Sequence, residues 1–368
     1  MKILVAGGGT GGHFYPALAI IEGVRQHPQL KSSEIAYVGT KRGIEARVLA
    51  QPQHRWIRFC PIRARGLDRG HLGRFLLALL EMPIGLIQTL KFIRQFKPDL
   101  IIGVGGYAAF SSLLWGIMLR VPTLIHEQNI QPGLVNKLLA RWVSRVCLTH
   151  QQTQKYFTQL PPEKVLLTGL PVRPSLTNIQ PDYTQFGLQP TQPVIFVVGG
   201  SRGSEFLNKT VLEAFPQLEP KDVQLILVTG NQANRCDKNS AKNTDARVVL
   251  VPYLEEIGRA LALADLVVCR AGATTLAELA VTGKPAILVP WPGAAENHQY
   301  ENARALAESG GCLVAPETDL DARKLAELIN HLLNNREKLT EMKSRMSALG
   351  RTAALDQILR EVEVLVYA

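Results

Sequence analysis

The chain has 368 residues, with 41 Lys+Arg against 31 Asp+Glu, a formal net charge of +10 and an apolar share of 46%. These proportions exclude a disordered chain, a collagen-like repeat and a disulfide-stapled mini-protein, and the length suits two domains. Residues 1–160 carry 20 basic and 7 acidic side chains, whereas 161–368 carry 21 and 24, so only the first half should attract an anionic partner.

Met1 and Lys2 precede only four apolar residues, too few for a secretory signal. Residues 3–6 read as a strand that runs into Gly7-Gly8-Gly9-Thr10-Gly11-Gly12, and 16–26 read as a helix. Strands follow at 35–38, 100–103, 123–125 and 145–148, a rhythm that predicts a parallel sheet with crossover helices. Residues 100–119 lack any formal charge over the length of a bilayer span, but Gly103, Gly105 and Gly106 break the run. A strand, a glycine turn and a buried helix over 108–119 are expected there instead.

Seven prolines between 159 and 193 mark a linker. Beyond it, 193–198 and Gly199-Gly200-Ser201-Arg202-Gly203 repeat the strand and glycine loop of the opening. A third such turn, 269–275, follows a strand at 265–268 and opens a helix at Leu276. The pattern predicts an α/β fold of two doubly wound domains, 1–165 and 166–349, each with a phosphate-type loop. A helix over about 350–368 is expected to pack back on the first domain.

Gly7-x-Gly9-x-x-Gly12 meets the dinucleotide fingerprint, yet the second strand ends Tyr37-Val38-Gly39-Thr40 without the acid a ribose needs. That removes most support for a nicotinamide enzyme. His13 follows the loop at the first turn of a helix, where an imidazole tends to stay neutral, and is the candidate general base; the alternative is a helix-capping histidine. Glu278, in the helix after the third turn, is either a ribose-binding carboxylate or an acid favouring a helix start. Asp319-x-Asp321 has the look of a metal-binding pair but precedes a helix at 322–333, so capping is expected and no metal. Five cysteines, never closer than 33 residues, offer no zinc or iron–sulfur spacing and suit a reducing compartment.

Residues 63–97 mix Arg63, Arg65, Arg69, Arg74, Lys91, Arg94 and Lys97 with leucines, isoleucines and phenylalanines. The longest charge-free window, 82–90, is too short to span a bilayer. An apolar patch ringed by cations suits attachment to an anionic membrane surface, and packing into the first domain is the alternative. No nucleic acid is expected, since interleaved aromatics and binding motifs are missing.

Seven stretches in fixed order carry a resemblance: Gly8 to His13, Gly103 to Tyr107, His126-Glu127-Gln128-Asn129, Gly169 to Arg173, Gly199-Gly200-Ser201, Cys269 to Glu278, and Asn297-His298-Gln299 with Asn302. Together they resemble the MurG family, bacterial transferases of GT-B architecture that add N-acetylglucosamine to undecaprenyl-pyrophosphoryl-MurNAc-pentapeptide in peptidoglycan synthesis. The resemblance implies two Rossmann-like domains facing across a cleft, UDP-N-acetylglucosamine as donor, no cofactor, and inverting transfer to a MurNAc 4-hydroxyl. It also implies a peripheral place on the cytoplasmic face of the plasma membrane. Among the residues, it implies that Thr10, Gly11 and Gly12 line the cleft and that Asn129 and Gln299 contact the sugar. Arg173 and Ser201 would hold the diphosphate, and Leu254 would lie against the uracil. Ala273, Thr274, Thr275, Leu276, Ala277 and Glu278 would wrap the nucleotide-sugar. The chain departs from the family pattern at Leu170, often Asn, and at 108–112, which lack a Ser/Pro pattern. Rival expectations are a glycolipid synthase with a diacylglycerol acceptor, a UDP-N-acetylglucosamine epimerase and a non-catalytic membrane adaptor.

Overall fold

Aliphatic runs without polar alternation belong in sheets covered on both faces, and the first of them, β1 (Lys2–Ala6), is buried from its second residue onward. The computed structural model describes residues 1–64, 72–176, 179–201, 203–219, 221–230, 246–294 and 297–367, with backbone alone for 72–79. The chain divides into two compact units, Met1–Pro174 with Thr352–Ala368, and Ser175–Arg351.

In the first unit β1 is joined by β2 (Glu34–Thr40), β3 (Arg58–Ile62), β4 (Leu100–Gly103), β5 (Thr123–Glu127), β6 (Arg145–Leu148) and β7 (Val165–Leu167). All pairings are parallel, in the order β3-β2-β1-β4-β5-β6-β7. Helices α1 (Gly11–Gln26), α2 (Ile44–Leu49), α3 (Leu72–Phe96), α4 (Tyr107–Met118) and α5 (Leu134–Leu139) connect them. Strand order reverses between β1 and β4, so the loops after Ala6 and Gly103 part there and leave a crevice at the strands' carboxyl ends.

The second unit contains β8 (Val194–Val198), β9 (Gln224–Val228), β10 (Val248–Val251), β11 (Leu266–Cys269), β12 (Ala286–Leu288) and β13 (Cys312–Val314). They are again parallel, in the order β10-β9-β8-β11-β12-β13, with the reversal between β8 and β11. Its helices are α6 (Glu205–Ala214), α7 (Ile257–Leu263), α8 (Ala273–Thr282), α9 (His298–Ala307), α10 (Ala322–Leu333) and α11 (Arg336–Ala348). Then α12 (Ala354–Tyr367) returns to the first unit. Its Ile358, Leu359 and Val362 join Phe14, Ile21 and Tyr37 in one buried cluster. Gly23 of α1 makes room for Leu355, whose Cδ1 would stand 2.8 Å from a Cβ there.

The doubly wound class is as the alternating pattern predicts. Boundaries differ in two instructive places. Helix α1 begins at Gly11 and carries Pro16 inside it, because one missing backbone bond near a helix start is outweighed by burying Phe14, Ala17 and Leu18. Helix α8 begins at Ala273, directly after Gly272, which takes the extended N-cap conformation. Asp321 caps α10, its Oδ1 accepting from Lys324 N at 2.7 Å, while Asp319 accepts from Thr318 Oγ1 at 3.1 Å in the turn before it.

Candidate active site

The first crevice is built on glycines that let other groups approach. Ala6 gives way to Gly7, where a Cβ would strike Val104, and Gly8, where it would strike the Glu45 carboxylate. Glu45, fully buried, accepts from Thr40 N (2.8 Å), Thr40 Oγ1 (2.7 Å) and Gly9 N (3.4 Å). Tyr37 donates its hydroxyl to Gly7 O at 3.0 Å, and burial together with the Glu45 charge holds that phenol well above its usual range. The glycine loop is therefore braced by a carboxylate, a group that the expectation of a phosphate-type loop does not include. Like charge there works against a phosphate. Sequence reading missed Glu45 because it stands five residues beyond the strand end where a ribose acid belongs.

His13 lies at the mouth of this loop. Its Nδ1 stands 3.3 Å from Thr10 Oγ1. Its ring covers Gly105, where a Cβ would come within 2.9 Å of Cδ2 and 3.0 Å of Nε2. Gly105 also holds φ +92°, a conformation that a side chain resists. Gly11 is buried, Gly12 half-buried and Thr10 exposed.

The His126 to Asn129 stretch ends β5 and serves as a bracket. His126 Nε2 donates to Gly169 O (2.9 Å), and burial lowers its pKa to about 4, so the ring is neutral. Its Nδ1 then accepts from Gln128 Nε2 (3.2 Å), which also donates to Val104 O (2.9 Å). Glu127 gathers Asn129 N (2.9 Å), Gly133 N (2.9 Å) and Asn136 Nδ2 (2.7 Å); burial raises its pKa despite these donors. Asn129 is thus fixed at the end of β5, half-buried. Arg173, at the far end of the first unit, stacks on Tyr15 at 5.0 Å from the ring centre, two residues along α1 from His13.

The second crevice is braced by a cation instead. Buried Arg270, the residue after β11, donates to Ser204 Oγ (2.7 Å) and Val289 O (3.1 Å) and pairs with Glu317. Ser204 in turn caps α6 by accepting from Leu207 N (3.2 Å). Gly200 has φ +83° and open space where a Cβ would be, and Ser201 beside it is exposed. Ala273 to Glu278 form the first turns of α8 across the reversal from Ser201, with Ala273, Thr274, Leu276 and Glu278 buried and Thr275 and Ala277 half-buried. Leu254 lies half-buried after β10, two strands from β8. Gln299 Oε1 accepts from Trp291 N at 2.9 Å, tying α9 to the segment after β12. Arg270 escaped sequence reading, although a lone charge ending an apolar strand is a usable signal.

Of the stretch 63–97, Arg65 and Arg69 lie outside the described residues, as do the side chains of Leu72, Arg74, Phe75, Leu76 and Leu79. The rest divides. Phe92, Ile93 and Phe96 enter the core, whereas Leu80, Met82, Ile84 and Ile87 are exposed, as are Arg63, Lys91 and Arg94. Leu134, Leu138 and Trp142 add further exposed apolar surface beside exposed Lys137 and Arg141. Among the described residues no helix is long and apolar enough to cross a membrane.

Residues 3–148 match the glycosyltransferase family 28 N-terminal domain, and 194–358 match its C-terminal domain. A UDP-N-acetylglucosamine–N-acetylmuramyl-(pentapeptide) pyrophosphoryl-undecaprenol N-acetylglucosamine transferase from Syntrophotalea carbinolica is 41% identical over 98% of each chain. One of the same name from Desulforudis audaxviator is 39% identical over 99% of this chain and 98% of its own. The crystal structure of Acinetobacter baumannii MurG superposes with a TM-score of 0.72 at 28% identity, covering 98% of this chain and 99% of that one.

Proposed function

The chain belongs to glycosyltransferase family 28, and on that premise we propose that it moves N-acetylglucosamine from UDP-N-acetylglucosamine to the MurNAc 4-hydroxyl of undecaprenyl-pyrophosphoryl-MurNAc-pentapeptide. The observation that carries the reading is end-to-end identity of about two residues in five with transferases of that name. The two glycine-rich crevices support it with a division of labour.

In this reading the donor lies on the second unit. The first turn of α8 and the Ser201 loop offer backbone N–H groups and a helix dipole to the diphosphate, with Glu278 on the ribose, Leu254 at the uracil and Gln299 at the sugar. Arg173 adds a guanidinium to the diphosphate as it departs. The acceptor lies on the first unit, with Asn129 on the N-acetylglucosamine and His13 as base. In the tautomer whose Nδ1–H donates to Thr10 Oγ1, Nε2 is the basic nitrogen of His13, and it would take the hydroxyl proton as the oxygen attacks the anomeric carbon. A single displacement inverts that centre and gives a β-1,4 link, with charge building on UDP where donors already stand.

The exposed apolar residues of α3 and α5, with their neighbouring cations, would seat the protein on the anionic cytoplasmic face of the plasma membrane. The test is UDP release from UDP-N-acetylglucosamine, with and without a short-chain lipid-diphosphoryl-MurNAc-pentapeptide. Acceptor-dependent release that collapses in His13→Ala while donor binding persists is the expected result. Release without acceptor would indicate hydrolysis or epimerisation, and release driven by diacylglycerol a glycolipid synthase.

A further inference from the structure

Between the end of β3 and helices α3, α4 and α5 of the first unit lies an apolar cavity of about 140 Å³. Ile62, Met82, Leu86, Phe110, Val135 and Leu138 supply most of its wall, and Ala64 part of the rest. Several polar groups in and behind the wall are bonded locally. Ser111 Oγ donates to Ala108 O (3.1 Å) and stands 3.0 Å from Thr89 Oγ1; Arg63 N donates to Gln88 Oε1 (2.9 Å), and Trp115 Nε1 to Leu86 O (2.9 Å). Gly85 lets the α3 backbone come against Arg63 O, where any Cβ would collide. The interior thus presents mostly carbon, and an apolar space of this size has room for roughly five or six carbons.

Two members of the lining are not apolar walls. Arg63 brings a cation to the mouth, and Tyr107 opens α4 directly after Gly106, whose backbone lies against Gly8 of the first crevice. Cavity and crevice therefore share one turn. A ligand that fits both carries a diphosphate joined to a branched hydrocarbon, with the anion at the α4 N-terminus and Arg63 and the hydrocarbon beyond. The inference rests on the acceptor proposed above, whose lipid is a polyprenol. We propose that the cavity takes the isoprene unit next to the acceptor's diphosphate, so that the protein itself reads the start of the lipid chain.

Two arms test this on the full-length protein in detergent-free buffer. The first compares binding of geranyl diphosphate with inorganic diphosphate by calorimetry. Geranyl diphosphate should bind about tenfold tighter or more, and the gap should close in Ala64→Phe and in Leu134→Trp, which fill the cavity from two sides. Circular dichroism melts check that both variants fold. The second arm measures KM for diphosphoryl-MurNAc-pentapeptide acceptors bearing methyl, C5 and C10 prenyl tails. KM should fall about tenfold on adding the first unit or two, and both variants should flatten that dependence. Equal binding of the two diphosphates, or a tail effect that appears only when anionic vesicles are added, would overturn the proposal and assign the lipid wholly to the bilayer. Turnover with no tail dependence would overturn it while leaving the transferase reading intact. Tight geranyl diphosphate binding with no transfer to any acceptor would keep the cavity and sink the function.

Discussion

The two crevices share one topology and differ in what braces their glycine loops. In the first unit a carboxylate, Glu45, takes the N–H of Gly9 and the end of β2; in the second a guanidinium, Arg270, ties the Ser204 turn to the segment after β12. A strand, a glycine turn and a helix therefore do not by themselves make a phosphate site. The sign of the group behind the loop decides how well an anion is received. Bulk charge does not report this contrast. The first 160 residues are strongly basic, and their described cations run from Lys2 to Lys155, Lys41, Arg42 and Arg47 near the end of β2 among them, yet the group directly behind the loop beside His13 is an acid.

The contrast can be broken at either end. Removing the proposed base by His13→Ala should lower kcat by roughly 10²–10⁴ and leave the UDP-N-acetylglucosamine Kd unchanged; equal loss of donor binding would undo the division between the units. Arg270→Met should cost the second unit about 3 kcal/mol by stranding Glu317, read as a lower urea midpoint, and Arg270→Met with Glu317→Gln should recover part of it.

A pH titration of stability probes the bracket beneath Asn129. His126 titrates near 4 when folded against about 6.5 when free, so the unfolded chain binds the extra proton between those values. Stability is complete above about pH 6.5 and falls as the pH drops toward 4, by about 3 kcal/mol from this group. Neighbouring Glu127, whose pKa is raised, works in the opposite sense, so the difference between the profiles of the parent and His126→Gln isolates the histidine. An unchanged profile would mean that the ring is not held neutral.

Smaller effects sharpen the comparison. Glu278→Gln should raise the donor KM about tenfold with kcat little altered, since a ribose contact is made before and during transfer. Glu45→Gln keeps a hydrogen-bond acceptor but removes the charge behind the first loop. Inorganic diphosphate should then compete with the acceptor a few-fold better; no change would show that the carboxylate does not set the loop's preference.

Much of this was legible in the sequence, for physical reasons. Buried parallel strands are near-continuous aliphatic runs, and β1, β4, β8 and β11 announce themselves, as do the glycine turns that follow them. His13 and Glu278 could be singled out because each sits at a fixed offset from such a turn. Glu45 could not be placed that way, and for Arg270 the sequence offers a lone charge after an apolar strand but not its partners Ser204 and Glu317, which depend on which strands lie side by side. The short strands β7, β12 and β13 have only three residues each, too few to carry a periodic signal. The cavity under α3, α4 and α5 depends on four separated segments meeting, which no local pattern records.

The return of α12 has a consequence for synthesis. During translation the second unit, 175–351, emerges whole before α12 does. Until then the cluster along α1 lacks Leu355, Ile358, Leu359 and Val362, and the helix that carries His13 leans on an unfinished interior. Should the second unit fold as it emerges, it would precede completion of the first, whose apolar surface along α1 stays open in that interval. The last helix closes that interval, and the chemistry of the first unit waits on it.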